Sequence, residues 1–446
     1  MYFTISTMIS TKEDCLMLLA CNGGEKAIAK EPEQLFHWPI VTDEDIAAVT
    51  DVLKAGIMSG TGITKEFEKE MAQWMGMKYA LAFPNGTASI YAGLWALGIG
   101  AGDEVICPSN TYWASAAPAM SLLASVNFCD IDRYTLCIDP KDLEKRIGPN
   151  TKAIVAVHYA GLPAPMDEIL AIAKKHNIKV LEDVSHAQGS LYKGKLCGTM
   201  GDVGCMSMMA GKSFAIGEGG MLVTNDREIY ERAISFAHYE RTGVKTKWNT
   251  APGEITFDYL KHFAGLPLGA IKGRMNQTCS AMGRVQLKHY PERIKEIQDA
   301  VNYFWSKLEG VPGLRPHRPD MWPNSTCGGW YYAQGLYFEE ELGGLTSDKF
   351  AKAINAEGIA NCAPGGNNPL HLHPFFYESD VYHLGKPTAT AFGQRDVRRA
   401  PEDLPVSYRI HDICISIPWF KHLDKPWIDK YAEAFKKVIE NDDQVR

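Results

Sequence analysis

Four short stretches of this 446-residue chain hold residue types whose spacing suits chemistry. Asn85-Gly86-Thr87-Ala88-Ser89 is a tight turn that opens a helical pattern through Tyr91, Leu94 and Leu97. Backbone N–H groups at such a helix start favour an anion, Thr87 adds a hydroxyl, and Gly86 lets the backbone approach a phosphate closely. Turns capped in this way also occur as plain structure. Pro108-Ser109-Asn110-Thr111-Tyr112-Trp113 sets two aromatics side by side, either to stack on a flat heterocycle or to pack in a core. Glu182-Asp183-Val184-Ser185-His186 offers a carboxylate that could pair with a protonated ring nitrogen and keep its charge, or could cap the next helix. Ser207-Met208-Met209-Ala210-Gly211-Lys212 puts one lysine among apolar and small residues. Most lysines are simply solvated, but an amine forms an imine only when partly deprotonated, and apolar surroundings lower its proton affinity. Together these stretches supply an anion cradle, a stacking plate, a ring-nitrogen partner and a Schiff-base amine, in workable order along the chain.

The elements that must position them alternate. Short apolar runs at 79–83, 104–107, 125–129, 152–157 and 179–181 are bounded by Gly, Pro, Asn or Asp, and most are followed by a helical pattern. Strands alternating with helices predict an α/β layer structure with a mostly parallel sheet, and ligands there sit beyond the carboxyl ends of strands. Each chemical stretch except the lysine's lies just after such a run. Upstream, Thr42 and Asp45 predict a capped helix with Ile46, Val49, Val52 and Leu53 on its apolar face and Gly56 at its end. A second helix carries Phe67, Met71 and Trp74. Downstream, 217–226 reads as a glycine-rich turn and strand, 228–239 as a helix, and 250–273 as irregular. A long helix through Met282, Val285, Leu287 and Ile294 then leads to mixed short elements. The predicted organisation is an arm at 1–41, a large domain at 42–290 and a small C-terminal domain at 291–446.

Composition narrows the function classes. With 46 basic and 53 acidic residues the net charge is −7, without long blocks, which argues against nucleic acid and for a small-molecule partner. Eleven cysteines without a C-x-x-C pair read as reduced thiols. The apolar run at 16–21 is too short for a membrane span and lacks a basic lead, so a cytoplasmic location without membrane association is expected.

The stretches YALAFPNGTASIYAGLWALGIGAGDEVICPSNTYWASA, EDVSHAQGSLYKGKLCGTMGDVGCMSM and GKSFAIGEGGMLVTND resemble the DegT/DnrJ/StrS family of sugar aminotransferases, from about Trp38 to the C-terminal helix. The resemblance implies fold type I of the pyridoxal-phosphate enzymes, with a large, mostly parallel α/β/α domain and a smaller α+β domain. Pyridoxal 5'-phosphate is the implied cofactor. It makes Lys212 the Schiff-base lysine and proton carrier, Asp183 the pyridine-nitrogen partner and Tyr112 the stacking ring. Thr87, Ala88 and Ser207, beside Gly86, would bind the phosphate, Gln188 would lie near the phenolic oxygen, and His186 would stand behind them. AIKGRMNQTCSAMGRVQL resembles a family segment whose Asn reaches the partner subunit's phosphate; here Lys272 stands at that Asn, implying a cofactor contact through a phosphate-compatible side chain, and Cys279 stands at a family Gln. PLHLHP resembles a loop near the substrate, with His371 the matching residue. His371 and His373 bring no third ligand, so no metal is expected.

LACNGGEKAIAKEP and FHWPIVTDEDI look like the branch that includes cyclitol aminotransferases and antibiotic-pathway enzymes. The implied reaction moves an amino group from glutamate or glutamine to a keto-sugar, nucleotide-linked or free, or to a ketocyclitol, in a homodimer with shared sites. Rival readings are a sugar dehydratase on the same fold, a non-catalytic sugar sensor and a metal hydrolase. Family dehydratases carry histidine at the Schiff-base position, where this chain has Lys212.

Overall fold

The structure is a computed structural model that describes residues 18–243 and 253–446. Parts of the arm and of the segments at 16–21 and 250–273 lie outside the described residues. Each apolar run forms a strand of one sheet: β1 (Tyr79–Phe83), β2 (Glu104–Pro108), β3 (Ser125–Cys129), β4 (Thr151–Val157) and β5 (Lys179–Asp183). Two more complete it, β6 (Val203–Ser207) and β7 (Gly220–Thr224). The spatial order is β1-β7-β6-β5-β4-β2-β3. From β3 to β6 neighbouring strands run parallel, whereas β7 is antiparallel to both β6 and β1. The inner strands are buried nearly end to end because helices cover the sheet, which is why they read as apolar runs rather than alternating patterns.

Strand β6 escaped the sequence pattern. Gly204 in its middle has no side chain to contribute to the apolar signal, yet a Cβ there would lie 2.3 Å from the Gly198 carbonyl oxygen. Helix α1 (Asp43–Ala55) has the capping box expected of Thr42 and Asp45 and ends at left-handed Gly56. Its buried side differs in part from expectation: Val52 is buried as predicted, but Ile46 and Leu53 are 57% and 52% exposed and Asp45 points inward. A carboxylate occupies that face because Asp45 Oδ1 accepts a hydrogen bond from Gln286 Nε2 at 2.9 Å. Helix α2 (Gly62–Met75) buries Phe67 and Met71 as its spacing predicts. Helix α3 (Gly86–Ala96) follows β1 and packs on β6 and β7, and α4 (Arg227–Ala237) packs on α3.

Residue 290 falls inside α5 (Gln277–Lys307), a 31-residue helix that contains Pro291. Its first half bonds to the N-terminal helices through Thr64–Ser280 and Asp45–Gln286. Its second half packs Phe304 against Phe435 of α6 (Lys425–Glu440). The C-terminal part carries a three-stranded antiparallel sheet, β8 (Leu314–Pro316), β9 (Gln334–Tyr337) and β10 (Cys414–Ser416). The described part of the arm is tied to this C-terminal part, for Leu19 N donates to Gln444 Oε1 and Ala20 N to Glu357 Oε1. Among the described residues no helix is long and apolar enough to cross a membrane.

Candidate active site

Strands β1, β2, β5 and β6 all end at the wall of one cavity of about 480 Å³, within the roughly 300–1,000 Å³ usual for ligand pockets. At the end of β1, Asn85 caps α3, its Oδ1 accepting from Ala88 N at 2.8 Å. Gly86 lies directly over β6, and an added Cβ would stand 2.7 Å from Ser207 Cβ. Gly220 is equally confined, a Cβ there falling 2.2 Å from the Asn85 carbonyl oxygen. The close approach brings Gly86, Thr87 and Ser207 together on the cavity wall at the N-terminus of α3, a place that could cradle a phosphate.

Asp183, at the end of β5, is 5% exposed. Its Oδ2 accepts from Ser115 Oγ at 2.6 Å and its Oδ1 from Ser185 N at 3.0 Å. Ser115 Oγ also meets Thr111 Oγ1 at 2.8 Å. Because the Ser115 proton goes to the carboxylate, Thr111 is the donor of that second bond. Each carboxylate oxygen therefore has one fixed donor and keeps lone pairs for a cationic ring nitrogen.

Lys212 rides on the loop 208–219 between β6 and β7, 8% exposed. The loop closes on itself through Met208 N to Gly219 O and Ala210 N to Gly217 O, and Trp38 Nε1 donates to the Lys212 carbonyl at 2.9 Å. The Lys212 amine sits 4.0 Å from the Tyr331 ring centroid and, among the described residues, in no carboxylate ion pair. Burial lowers its proton affinity from the ordinary value of 10.5 to about 8, with the Asp183 charge opposing the fall. His186 lines the same cavity, and burial, aided by the Lys212 charge, holds it well below the ordinary imidazole range, so it is neutral. Tyr112 is half exposed beside the cavity with its ring centroid 5.0 Å from that of Trp113.

Five residues singled out in the sequence stand outside this wall. The Gln188 amide is committed to the protein, Nε2 donating to the Ser207 carbonyl at 2.5 Å and Oε1 accepting from Ser213 Oγ at 3.0 Å. It braces the cradle and the lysine loop from behind. Ala88 lines an adjoining cleft with Tyr91 and Trp113. Lys272 is exposed and lines none of these clefts, and Cys279 lies in the first turn of α5 under the Asn276 cap. His371 is buried against Ser109, Nδ1 to Oγ 2.6 Å, and burial lowers its pKa to about 4. The cavity also includes Thr111, Ser115, Ser185, Glu218, Asn367, Tyr331 and Tyr332, which the sequence did not single out as site residues. Ser115 stands four residues after Thr111 in a stretch already noted, whereas the tyrosines arrive from the C-terminal part, where only the Gly-Gly-Trp-Tyr-Tyr cluster could have drawn attention.

A buried amine, a fixed carboxylate and a phosphate cradle around one cavity fit a phosphorylated pyridine aldehyde. Residues 39–436 match the DegT/DnrJ/EryC1/StrS aminotransferase family. GDP-perosamine synthase of Escherichia coli O157:H7 is 35% identical over 86% of this chain and 97% of its own length. A putative L-glutamine:3-amino-2,3-dideoxy-scyllo-inosose aminotransferase of Streptoalloteichus tenebrarius is 30% identical over 92% of this chain and 95% of its own. Among solved structures, an aminotransferase from Psychrobacter cryohalolentis superimposes with a TM-score of 0.75 at 26% identity, covering 91% of this chain and 98% of that one. The chain belongs to the DegT/DnrJ/EryC1/StrS aminotransferase family, with the fold of that family's pyridoxal-phosphate enzymes and pyridoxal 5'-phosphate as its cofactor.

Proposed function

We propose that this protein transfers an amino group from glutamate or glutamine to a keto-sugar or a ketocyclitol. The observation that carries the reading is Lys212, buried beside Asp183 with its amine brought close to neutral pH. The bound cofactor supplies an aldehyde that takes up the amino group and a charged ring that spreads developing negative charge. Asp183, fixed by Ser115 and Ser185, keeps that ring nitrogen protonated. Gly86, Thr87 and Ser207 hold the phosphate, Tyr112 covers a face of the ring, and Lys212 Nζ accepts and returns the proton. His186 stays neutral and adds no competing cation.

Relatives named as a GDP-perosamine synthase and as a scyllo-inosose aminotransferase support a sugar or cyclitol acceptor. The lysine at position 212 favours amination over the dehydratase reading. We assign 42–290 to a large domain and 291–446 to a small one, joined through α5. The active species is a homodimer, consistent with the apolar side chains that α1 leaves exposed. Ten unpaired thiols among the described residues suit a reducing cytoplasm.

Borohydride treatment of the vitamin-loaded protein, followed by peptide mass spectrometry, is expected to find the cofactor fixed on Lys212 and absent from Lys212→Ala. Adding glutamate or glutamine should bleach the yellow colour, and the correct keto-sugar or ketocyclitol should restore it. A folded, loaded protein with an unmodified Lys212 peptide refutes the assignment, and colour that survives both donors points to a sensor.

A further inference from the structure

A second cleft, of about 380 Å³, lies against the first and shares Tyr331 and Tyr332 with it. Its remaining wall comes mainly from the arm (Glu31, Phe36) and the segment after β10 (Ile417, Trp419, Lys421), with Ala333, Ala360 and Asn361 beside them. Lys421 is 5% exposed, and its backbone N–H is pinned to the Leu35 carbonyl at 3.1 Å. Its ammonium group donates to the Trp419 carbonyl at 3.2 Å and lies 2.9 Å from the centroid of the Trp419 ring. Among the described residues no carboxylate pairs with it. Among the described residues buried Arg241 does have such a partner, Glu68 at 2.8 Å, whereas buried Arg293 bonds to the neutral Gln286 side chain. The other buried lysine without one is Lys212, and there the cofactor explains it.

The two unpaired lysines stand at opposite ends of one aromatic stack. Lys212 lies on Tyr331, Tyr331 meets Trp419 edge-on at 5.4 Å, and Trp419 presents its face to Lys421. We propose that the cleft behind Tyr331 and Tyr332 binds a small-molecule carboxylate through Lys421. A buried ammonium without an anion is unfavourable, and an incoming carboxylate supplies both the charge and the missing acceptor. Glu31, the other ionisable group of the cleft besides the tyrosines, is already engaged, its Oε1 accepting from Ala360 N at 3.0 Å and Tyr431 OH at 3.1 Å. A single carboxylate group neutralises Lys421, whereas a phosphate dianion would crowd two negative charges onto one group beside Glu31. Phe36, Ile417 and Trp419 offer an apolar wall for a short carbon chain. Burial lowers the Lys421 pKa to about 6, so the empty site is largely neutral at physiological pH and takes up a proton when the anion arrives. The carboxylate comes either from the amino donor or from a separate ligand, and only the donor alternative rests on the proposed amination.

Glutarate is the probe, since it carries the carboxylates of glutamate without an amine to transfer. Calorimetry of the full-length, cofactor-loaded protein near neutral pH, in buffers of different ionisation enthalpy, should show glutarate binding with net proton uptake. Lys421→Met should weaken that binding at least about tenfold while keeping the yellow colour, because a buried hydrogen-bonded charge is lost. Lys421→Arg should bind without proton uptake. Methionine removes a buried amine at similar length, so this variant should melt no lower than the parent, which guards against misfolding as an explanation. No glutarate binding, unchanged affinity in Lys421→Met, or binding without proton uptake in the parent each overturns the site. If Lys421→Met also needs at least about tenfold more glutamate to bleach the colour, the carboxylate is the donor's. If only glutarate binding falls, the ligand is separate. A parent that glutamate never bleaches defeats the amination reading and leaves the glutarate result to be judged alone.

Discussion

At the scale of single residues, the Lys212 amine is poised between two charge states. Only its neutral form attacks a carbonyl, and burial lets that form appear around pH 8 rather than near 10.5. The cofactor-free protein should therefore capture pyridoxal phosphate faster as pH rises through about 8 and level off above it, as followed by rapid-mixing absorbance. A rate that keeps climbing toward the ordinary lysine value would mean that burial does not tune the amine. Lys212 and Asp183 were legible because their types are unusual where they stand, a lysine among methionines and small residues and a carboxylate at a strand end. Ser115 and Thr111 were not, since their role lies in which hydroxyl donates to which, and a sequence does not carry that. Tyr331 was hidden for another reason: it reaches Lys212 from a distance of more than a hundred residues along the chain.

At the scale of elements, the cradle depends on a helix start resting on a strand with no side chain between them. Gly86→Ala places a methyl 2.7 Å from Ser207 Cβ, so α3 must lift from β6. Overpacking of this kind costs about 1–3 kcal/mol. Thermal unfolding of the cofactor-free variant should register that loss, and cofactor titration should show weaker binding as well, because the displaced N–H groups no longer converge on the phosphate. An unchanged melting curve would indicate that the strand yields instead. The parallel strands were readable because burial on both faces makes them uniformly apolar, and β6 was not because Gly204 interrupts the signal. The apolar face of α1 was misjudged for a physical reason too. Hydrophobic spacing shows where a face is apolar, not what will cover it, and among the described residues Ile46 and Leu53 are left more than half exposed.

At the scale of the whole molecule, Ile46 and Leu53, seven residues apart on one side of α1, and Ile57 and Met58 in the turn after it are each about half exposed. Large apolar side chains exposed close together in this way are expected to be covered. Sedimentation should give twice the 49.4 kDa chain mass, and Ile46→Glu with Leu53→Glu should give the single mass. A monomeric parent would dismiss the homodimer.

The reversed direction of β7 has a further consequence. A chain that leaves the sheet along β6 and returns along its immediate neighbour keeps the two feet of the 208–219 loop together, stapled by hydrogen bonds that continue those of the sheet. Under the proposed amination, an amine mounted there would be on a leash: when its covalent bond is exchanged for another, it would have nowhere to drift. Return then depends on rotation about a few side-chain bonds rather than on refolding a segment, so the search that precedes each re-attachment is already confined before the reaction starts.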